Sequence, residues 1–348
     1  MPEVGPGEAA AGNAAAAPVT GWRGAVGAAR TSDQLARSLR VVGILIALAG
    51  VWLYFSLKSE YFFTQSNIFN ILLQASNVGI IAAGLTVVMI AGEIDLSIGS
   101  LEALAGSVAA IVIIRHGQSV WLGIVAGVAA TVLAGVVSGF LTSKLKVVSF
   151  ISTLAMLGIA QGIAFLLTNG QAVAGFPSPY DKIGTSDIRG FPGAVVIAIV
   201  VFLALHVMLT RTKLGIQIYA VGGNAQSAAY AGIRVGRVKL IALAISGLTA
   251  GVGGLIVSSR LDAGNGLFGA GDLLGAVAAV VIGGTSLFGG IGTVVGTAIG
   301  VVMIATINNG LVLLNIPDFW QQIVVGSIII GAMVLDQLAK TARSVIRA

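Results

Sequence analysis

The sequence predicts an all-α polytopic membrane protein, and three observations carry that prediction. Of 348 residues, 57% are hydrophobic and only 9% are charged. An ordinary soluble domain carries about 25% charged residues, so this chain cannot cover a water-facing surface. The mean hydropathy is +1.01. The apolar residues also fall into separate runs close to the roughly 20 residues a helix needs to cross a bilayer. Soluble globular and bulk disordered classes are both excluded. The lack of cysteine removes disulfides, thiolate metal sites and thiol nucleophiles. Two histidines are too few for a histidine metal cluster.

Residues 1–40 lead the chain. Their first 30 are rich in Ala, Gly and Pro and poor in bulky apolar groups, and the segment reads as a flexible cytoplasmic tail. Glu3 and Glu8 stand where a signal peptide would have basic residues. One transmembrane domain, 41–338, follows, and 339–348 reads as a cytoplasmic C-terminal tail. Ten spans are expected in it, at about 41–57, 68–91, 97–114, 120–142, 147–168, 193–210, 240–258, 273–288, 292–314 and 319–336. Only short breaks part the second span from the third and the eighth from the ninth. Gly-rich backbone there is expected to be broken or re-entrant, which is tolerated only where protein or water satisfies its polar groups.

Charge placement tests the count, because excess Lys and Arg mark cytoplasmic loops. With ten spans and the N-terminus inside, 14 of the 19 basic residues fall on the inner side. Lys58, Arg115, Lys182, Arg189 and Arg260 fall outside. An even count with both termini cytoplasmic is the consistent arrangement. The net charge of +6 belongs to this topology, and no nucleic-acid partner is expected. The longest polar loop, 169–192, carries three of the seven prolines and reads as an ordered external loop rather than a helix.

Polar groups inside a bilayer are expensive and tend to be functional. Asn67, Asn70, Gln74 and Asn77 recur at helical spacing on one face. Either they line a solute pathway, or they make hydrogen bonds between helices at a helix start. Next comes Gly92-Glu93-Ile94-Asp95-Leu96-Ser97-Ile98-Gly99-Ser100. Asp95 is placed to cap the third span and Glu93 to favour its positive end. Alternatively, the segment bends the chain beside the pathway. Glu102, seven residues after Asp95, would share its face. His206 falls within the sixth span, where a lone histidine is more often packing than a ligand.

Glycines at four-residue spacing, Gly123/Gly127, Gly135/Gly139, Gly247/Gly251 and Gly292/Gly296/Gly300, are the pattern of closely packed membrane helices. Helix–glycine–helix segments at 92–99 and 283–292 hint at an internal repeat. Between spans six and seven, Asn224 to Ala231 reads as a short helix capped by Asn224 and stopped by Gly232. Flanked by basic residues, it suits either docking of a cytoplasmic partner or a surface connector. No Lys follows a Gly anywhere, so the phosphate-binding G-K-[ST] loop is missing.

Four segments resemble one family. Gly92–Ser100 looks like the GxIDLSxGS segment of monosaccharide ABC importer permeases of the ribose/xylose type. Ile218-Tyr219-Ala220-Val221-Gly222-Gly223-Asn224, followed by Ala228 and Gly232-Ile233, is similar to its IYAxGGN…GI segment. Ala276–Leu287 with Gly289-Gly290 resembles AIAAVVxGGTSLxGG, and Asn308-Asn309-Gly310-Leu311 resembles NNGL. The order and approximate spacing agree from about residue 60 to 338.

The resemblance implies a bacterial inner-membrane permease that works by alternating access. Its partners would be a cytoplasmic ATPase, an extracytoplasmic sugar-binding protein, a second permease copy in a homodimer, and membrane lipid. No cofactor would sit in this chain, since ATP and Mg belong to the ATPase. Gly222, Gly223, Asn224, Ala225, Gln226, Ala228, Gly232 and Ile233 would couple to that ATPase. Sugar would pass Asn70, Gln74, Asn77, Glu93, Asp95 and Ser97. Glu93, Ser258-Ser259-Arg260-Leu261 and Ile316–Gln321 look closer to xylose-type members, which favours a pentose such as xylose or ribose. The alternatives are a proton-coupled secondary carrier using Glu93, Asp95 and Glu102, or a branched-chain amino-acid ABC permease.

Overall fold

Apolar runs without internal proline fold as helices because a bilayer leaves the backbone no other partner. In a computed structural model describing residues 41–188 and 190–347, eight helices are long and apolar enough to cross a membrane. They are α1 (Val41–Lys58), α2 (Gln65–Ile90), α3 with its π-helical end (Ile98–Arg115) and α4 (Val120–Ser143). The other four are α5 (Ser149–Thr168), α7 (Gly193–Arg211), α10 (Val235–Arg260) and α12 (Val294–Leu313). They pack within one unit that starts at Gly43. The expected tail, with Arg23, Arg30, Arg37 and Arg40, and also Arg189, lies outside the described residues.

The expectation of ten full spans needs correction at two places. The eighth is the short helix α11 (Asp272–Ile282). Its 11 residues rise about 16 Å, roughly half the hydrocarbon thickness. It ends because Gly283 and Gly284 follow and Gly284 adopts φ +85, a conformation that glycine takes without a Cβ clash. The tenth, α13 (Asp318–Arg347), has an apolar part of only Phe319–Gly331. It continues without a break at 338, since neither Gly nor Pro follows Gly331.

The segment 169–192 is also more regular than expected. It holds β1 (Val173–Ala174), the helix α6 (Ser178–Thr185) and a hairpin of β2 (Asp187–Ile188) and β3 (Phe191–Pro192). Proline does not prevent α6, because Pro179 sits in its first turn, where the missing N–H would have had no helical partner. β1 pairs antiparallel with β4 (Ala263–Gly264).

The most extensively buried spans are α2 and α3, with α10 and α12 next. α10 packs against α4, α3 and α2. The predicted glycines make this close approach possible. A methyl on Gly139 would lie 2.8 Å from the Cα of Leu240, and one on Gly127 would lie 2.8 Å from the carbonyl of Ala105. Gly135 faces the Leu243 carbonyl, Gly247 and Gly251 face Thr131, and Gly296 and Gly300 of α12 face Gly283 and Ala279. Two short helices, α8 (Lys213–Gly223) and α9 (Ala225–Tyr230), connect α7 to α10.

Candidate functional site

Two polar centres lie at the two ends of α10. At its start, α2 stops after Ile90, and the chain runs non-helically through Gly92 (φ +78) until α3 begins at Ile98. The break is held by side chains of α5. Ser149 Oγ accepts the Ile94 N–H at 3.1 Å, and Thr153 Oγ1 accepts the Leu96 N–H at 3.2 Å. Asp95 is buried, and its Oδ1 accepts both the N–H and the hydroxyl of Ser97, at 2.8 and 2.6 Å.

The sequence expectations for these acids change accordingly. Ser97 occupies the cap position of α3 without a side-chain cap bond. Asp95 lies before the helix, folded back on Ser97, so it shares no helical face with Glu102. Glu93 is buried in an ion pair with Lys239 of α10, the one ion pair among the described residues. Lys239 was missed because only the fold brings it to Glu93.

The second break, 283–293, meets the first. The Gly290 N–H donates to the Ile90 carbonyl at 2.9 Å. The Tyr219 hydroxyl donates to the Gly292 carbonyl at 2.8 Å. Gly222, in the last turn of α8, lies between them. A methyl there would overlap the Ile90 carbonyl and sit 2.6 Å from the Gly290 nitrogen. One on Gly289 would lie 2.7 Å from both the Gly92 Cα and the Gly222 carbonyl. Three separate segments therefore touch backbone to backbone.

Beyond this junction, α9 is capped as its sequence predicts. Asn224 Oδ1 accepts the Ser227 N–H at 2.8 Å. At the other end, Gly232 takes φ +82 and the Ile233 N–H returns to the Ala228 carbonyl at 3.0 Å, which satisfies the carbonyls of the last turn. Ala228 is buried and Ala225 and Ile233 half-buried, while Gly223, Asn224, Gln226 and Gly232 are exposed. Tyr230, absent from the sequence-derived set, is 83% exposed and accepts a bond from Gln226 at 3.1 Å.

The second centre lies where α10 ends. Asn77 Nδ2 donates to Asp272 Oδ2 at 2.7 Å. Glu102 and Arg260 are near the same carboxylate. The Glu102 carboxyl is buried against Gly253 and Gly269, with no hydrogen-bond donor to either oxygen. Alongside, the Tyr180 hydroxyl bonds Ser258 Oγ at 2.7 Å, and burial pushes the phenol well above its ordinary pKa. Ser259 Oγ accepts the Gly184 N–H at 2.9 Å, which ties α6 to the last turn of α10.

The predicted amide stripe on α2 is divided. Asn67 is buried between the Phe62 carbonyl and Asn309, at 2.9 Å from each. Asn77 reaches Asp272, Gln74 is half-buried and Asn70 is exposed. One helix face presents Asn67 and Asn77 to different neighbours. Among the described residues, no group of three or more His, Cys, Asp or Glu side chains is placed to hold a metal ion.

Membrane-length helices, two breaks that meet, and an exposed capped connection define a polytopic membrane transport component. The chain belongs to the family described as branched-chain amino acid transport system / permease component, which matches residues 67–333. It is similar to the ribose import permease protein of Escherichia coli (strain K12), with 40% identity over 310 residues, 88% of this chain and 95% of that one. The L-arabinose ABC transporter permease protein of Azospirillum brasilense is 33% identical over 319 residues, 92% of this chain and 94% of the relative. The xylose transport system permease protein of Escherichia coli (strain K12) is 33% identical over 365 residues, 87% and 93% of the two chains. No solved structure matches. The chain is a multi-pass inner-membrane permease component.

Proposed function

We propose that this chain is the membrane-spanning permease subunit of an ABC importer for a monosaccharide, a pentose such as xylose or ribose. The observation that carries the reading is the junction of α8 with both breaks. Through Gly222, the connection leading to α9 rests directly on the backbone of 90–92 and 289–290. A force applied to α9 is thereby delivered to the two places where the membrane helices are interrupted. The relatives named for ribose, L-arabinose and xylose support the substrate class.

In this reading both termini, including the 1–40 and 339–348 tails, are cytoplasmic. Ten apolar segments enter the membrane, α11 and α13 as shorter ones. Two copies pair within lipid. A separate ATPase binds ATP and Mg and receives α9, with Gly223, Asn224 and Gln226 on the exposed side. A sugar-binding protein docks at the opposite end, around α6 and Arg260. Asn70, Gln74 and Asn77 face the outer pathway, and Glu93, Asp95 and Ser97 its inner end. This subunit performs no covalent chemistry.

The test is sugar uptake into vesicles holding the assembled importer. Asn224→Pro and Gly232→Arg should abolish ATP-driven uptake while membrane insertion persists. Normal uptake in both variants defeats the coupling assignment. Uptake that survives removal of the ATPase, yet collapses with an uncoupler at constant ATP, would establish the proton-coupled carrier instead. The bond of Glu93 to Lys239 argues against that carrier, because it commits one of its three acids. Competition by leucine but not by pentoses would favour the amino-acid permease.

A further inference from the structure

A cavity of about 320 Å³ opens at the α6 end of the unit, between the first turns of α2, the β2–β3 hairpin and Arg260. Phe69, Leu73, Thr185, Asp187, Pro192 and Arg260 are among its walls. We infer that this cavity is a receiving site for a single sugar ring, the place where substrate first rests on the permease. The inference rests on the importer reading for the identity of its ligand, and on the geometry for its location.

Three features fit a sugar. The first is size, since ligand pockets begin at about 300 Å³, which suits one ring better than a disaccharide. The second is the wall chemistry. A sugar ring has an apolar face and a rim of hydroxyls. Phe69 and Leu73 offer apolar surface, while Asp187 and Arg260 offer an acceptor and a forked donor. Charged partners make the stronger hydrogen bonds to hydroxyls. One Asp187 oxygen already accepts the Gly190 N–H at 2.5 Å, which fixes the carboxylate and leaves its other lone pairs for a ligand.

The third feature is that the site is built rather than incidental. Gly184 has no side chain where one would meet the Arg260 stem at 2.5 Å, so the arginine can lie across the end of α6. Ser259, adjacent in sequence, holds Gly184 in place. Arg260 is also near Asp272, which bonds Asn77. Phe69, Leu73 and Asn77 follow one another at four-residue spacing along α2, within one sector of the helix. Polar groups thus lead from the cavity inward to the amide proposed for the pathway.

The chain has no cysteine, so a single introduced reporter is the one thiol in this subunit. Thr185→Cys and, separately, Leu73→Cys would be alkylated with N-ethylmaleimide in the assembled importer. The reaction would be followed with D-ribose, D-xylose or L-arabinose, and with betaine at equal osmolarity. Occupancy at about ten times Kd slows alkylation about tenfold. At least one sugar should give this protection while betaine does not, and Arg260→Gln should remove it. Lack of protection at both positions by every sugar overturns the inference, as does protection that persists in Arg260→Gln. Protection by the binding protein that is the same with and without sugar identifies a protein socket and also overturns it. Sugar protection without ATP-driven uptake would leave the cavity assignment standing and defeat the importer reading. Uptake without protection would do the reverse.

Discussion

The two ends of α10 are built on different principles. At the Lys239 end, three chain segments meet backbone to backbone, and glycine is required because even a methyl has nowhere to go. At the Arg260 end, α6 is held by side chains, through Tyr180–Ser258 and Gly184–Ser259, beside an open cavity. Backbone contacts have no rotamers with which to absorb a displacement. Side-chain contacts do, and they can rearrange around a ligand. The first construction suits transmission of movement, and the second suits reception of a substrate.

The sharpest way to break this comparison is Gly222→Ala. The overlap is with backbone on both sides, so the loss should exceed the roughly 1–3 kcal/mol of ordinary overpacking. Thermal unfolding of the purified importer should drop well below wild type, and uptake should fall with it. Unchanged melting would show that the junction is loose. Next is Lys239→Met, which leaves the Glu93 carboxylate buried without its partner. Breaking a buried pair removes about 3–5 kcal/mol, and the 26% exposure of Lys239 places this variant at the low end. The double variant Glu93→Gln/Lys239→Met should recover most of the loss. A double as unstable as the single would mean that the pair contributes nothing specific.

At the other end, Tyr180→Phe removes one neutral hydrogen bond. Ser258 keeps its bond to the Gly254 carbonyl, so the change should be about 1 kcal/mol. A melting shift as large as that of Lys239→Met would erase the contrast between the two ends. The smallest effect is expected for Gly223→Ala, beside the most sensitive position. Space around Gly223 is open, and stability should stay within about 0.5 kcal/mol of wild type. A large loss there would mean that α8 packs more tightly than the geometry shows.

How much was legible in the sequence follows from the range of each interaction. The spans follow from local hydropathy. The caps of α9 follow from Asn224 and Gly232, because both act within one turn. The Gly135/Gly139 and Gly247/Gly251 pairs announced close packing without naming their partners. The Asn67–Asn77 spacing defines one helix face, but that face meets Asn309 near one end and Asp272 at the other. Spacing along a helix cannot report how many neighbours share it.

By itself, then, the sequence determined that the chain belongs in a bilayer, where most of its long helices lie and where glycine interrupts them. Too few charges remain for a soluble surface, and glycines halt helices through local backbone energetics. Tertiary structure alone decided that the interruptions at 91–97 and 283–293 share one junction with Gly222. It also paired Glu93 with Lys239, shortened the eighth span to α11, and set Arg260 and Asp187 in the wall of one cavity. Those outcomes depend on contacts between residues far apart in the chain, such as the 195 positions that separate Asn77 from Asp272. Only the packing of α2 against both α10 and α11 fixes such pairs.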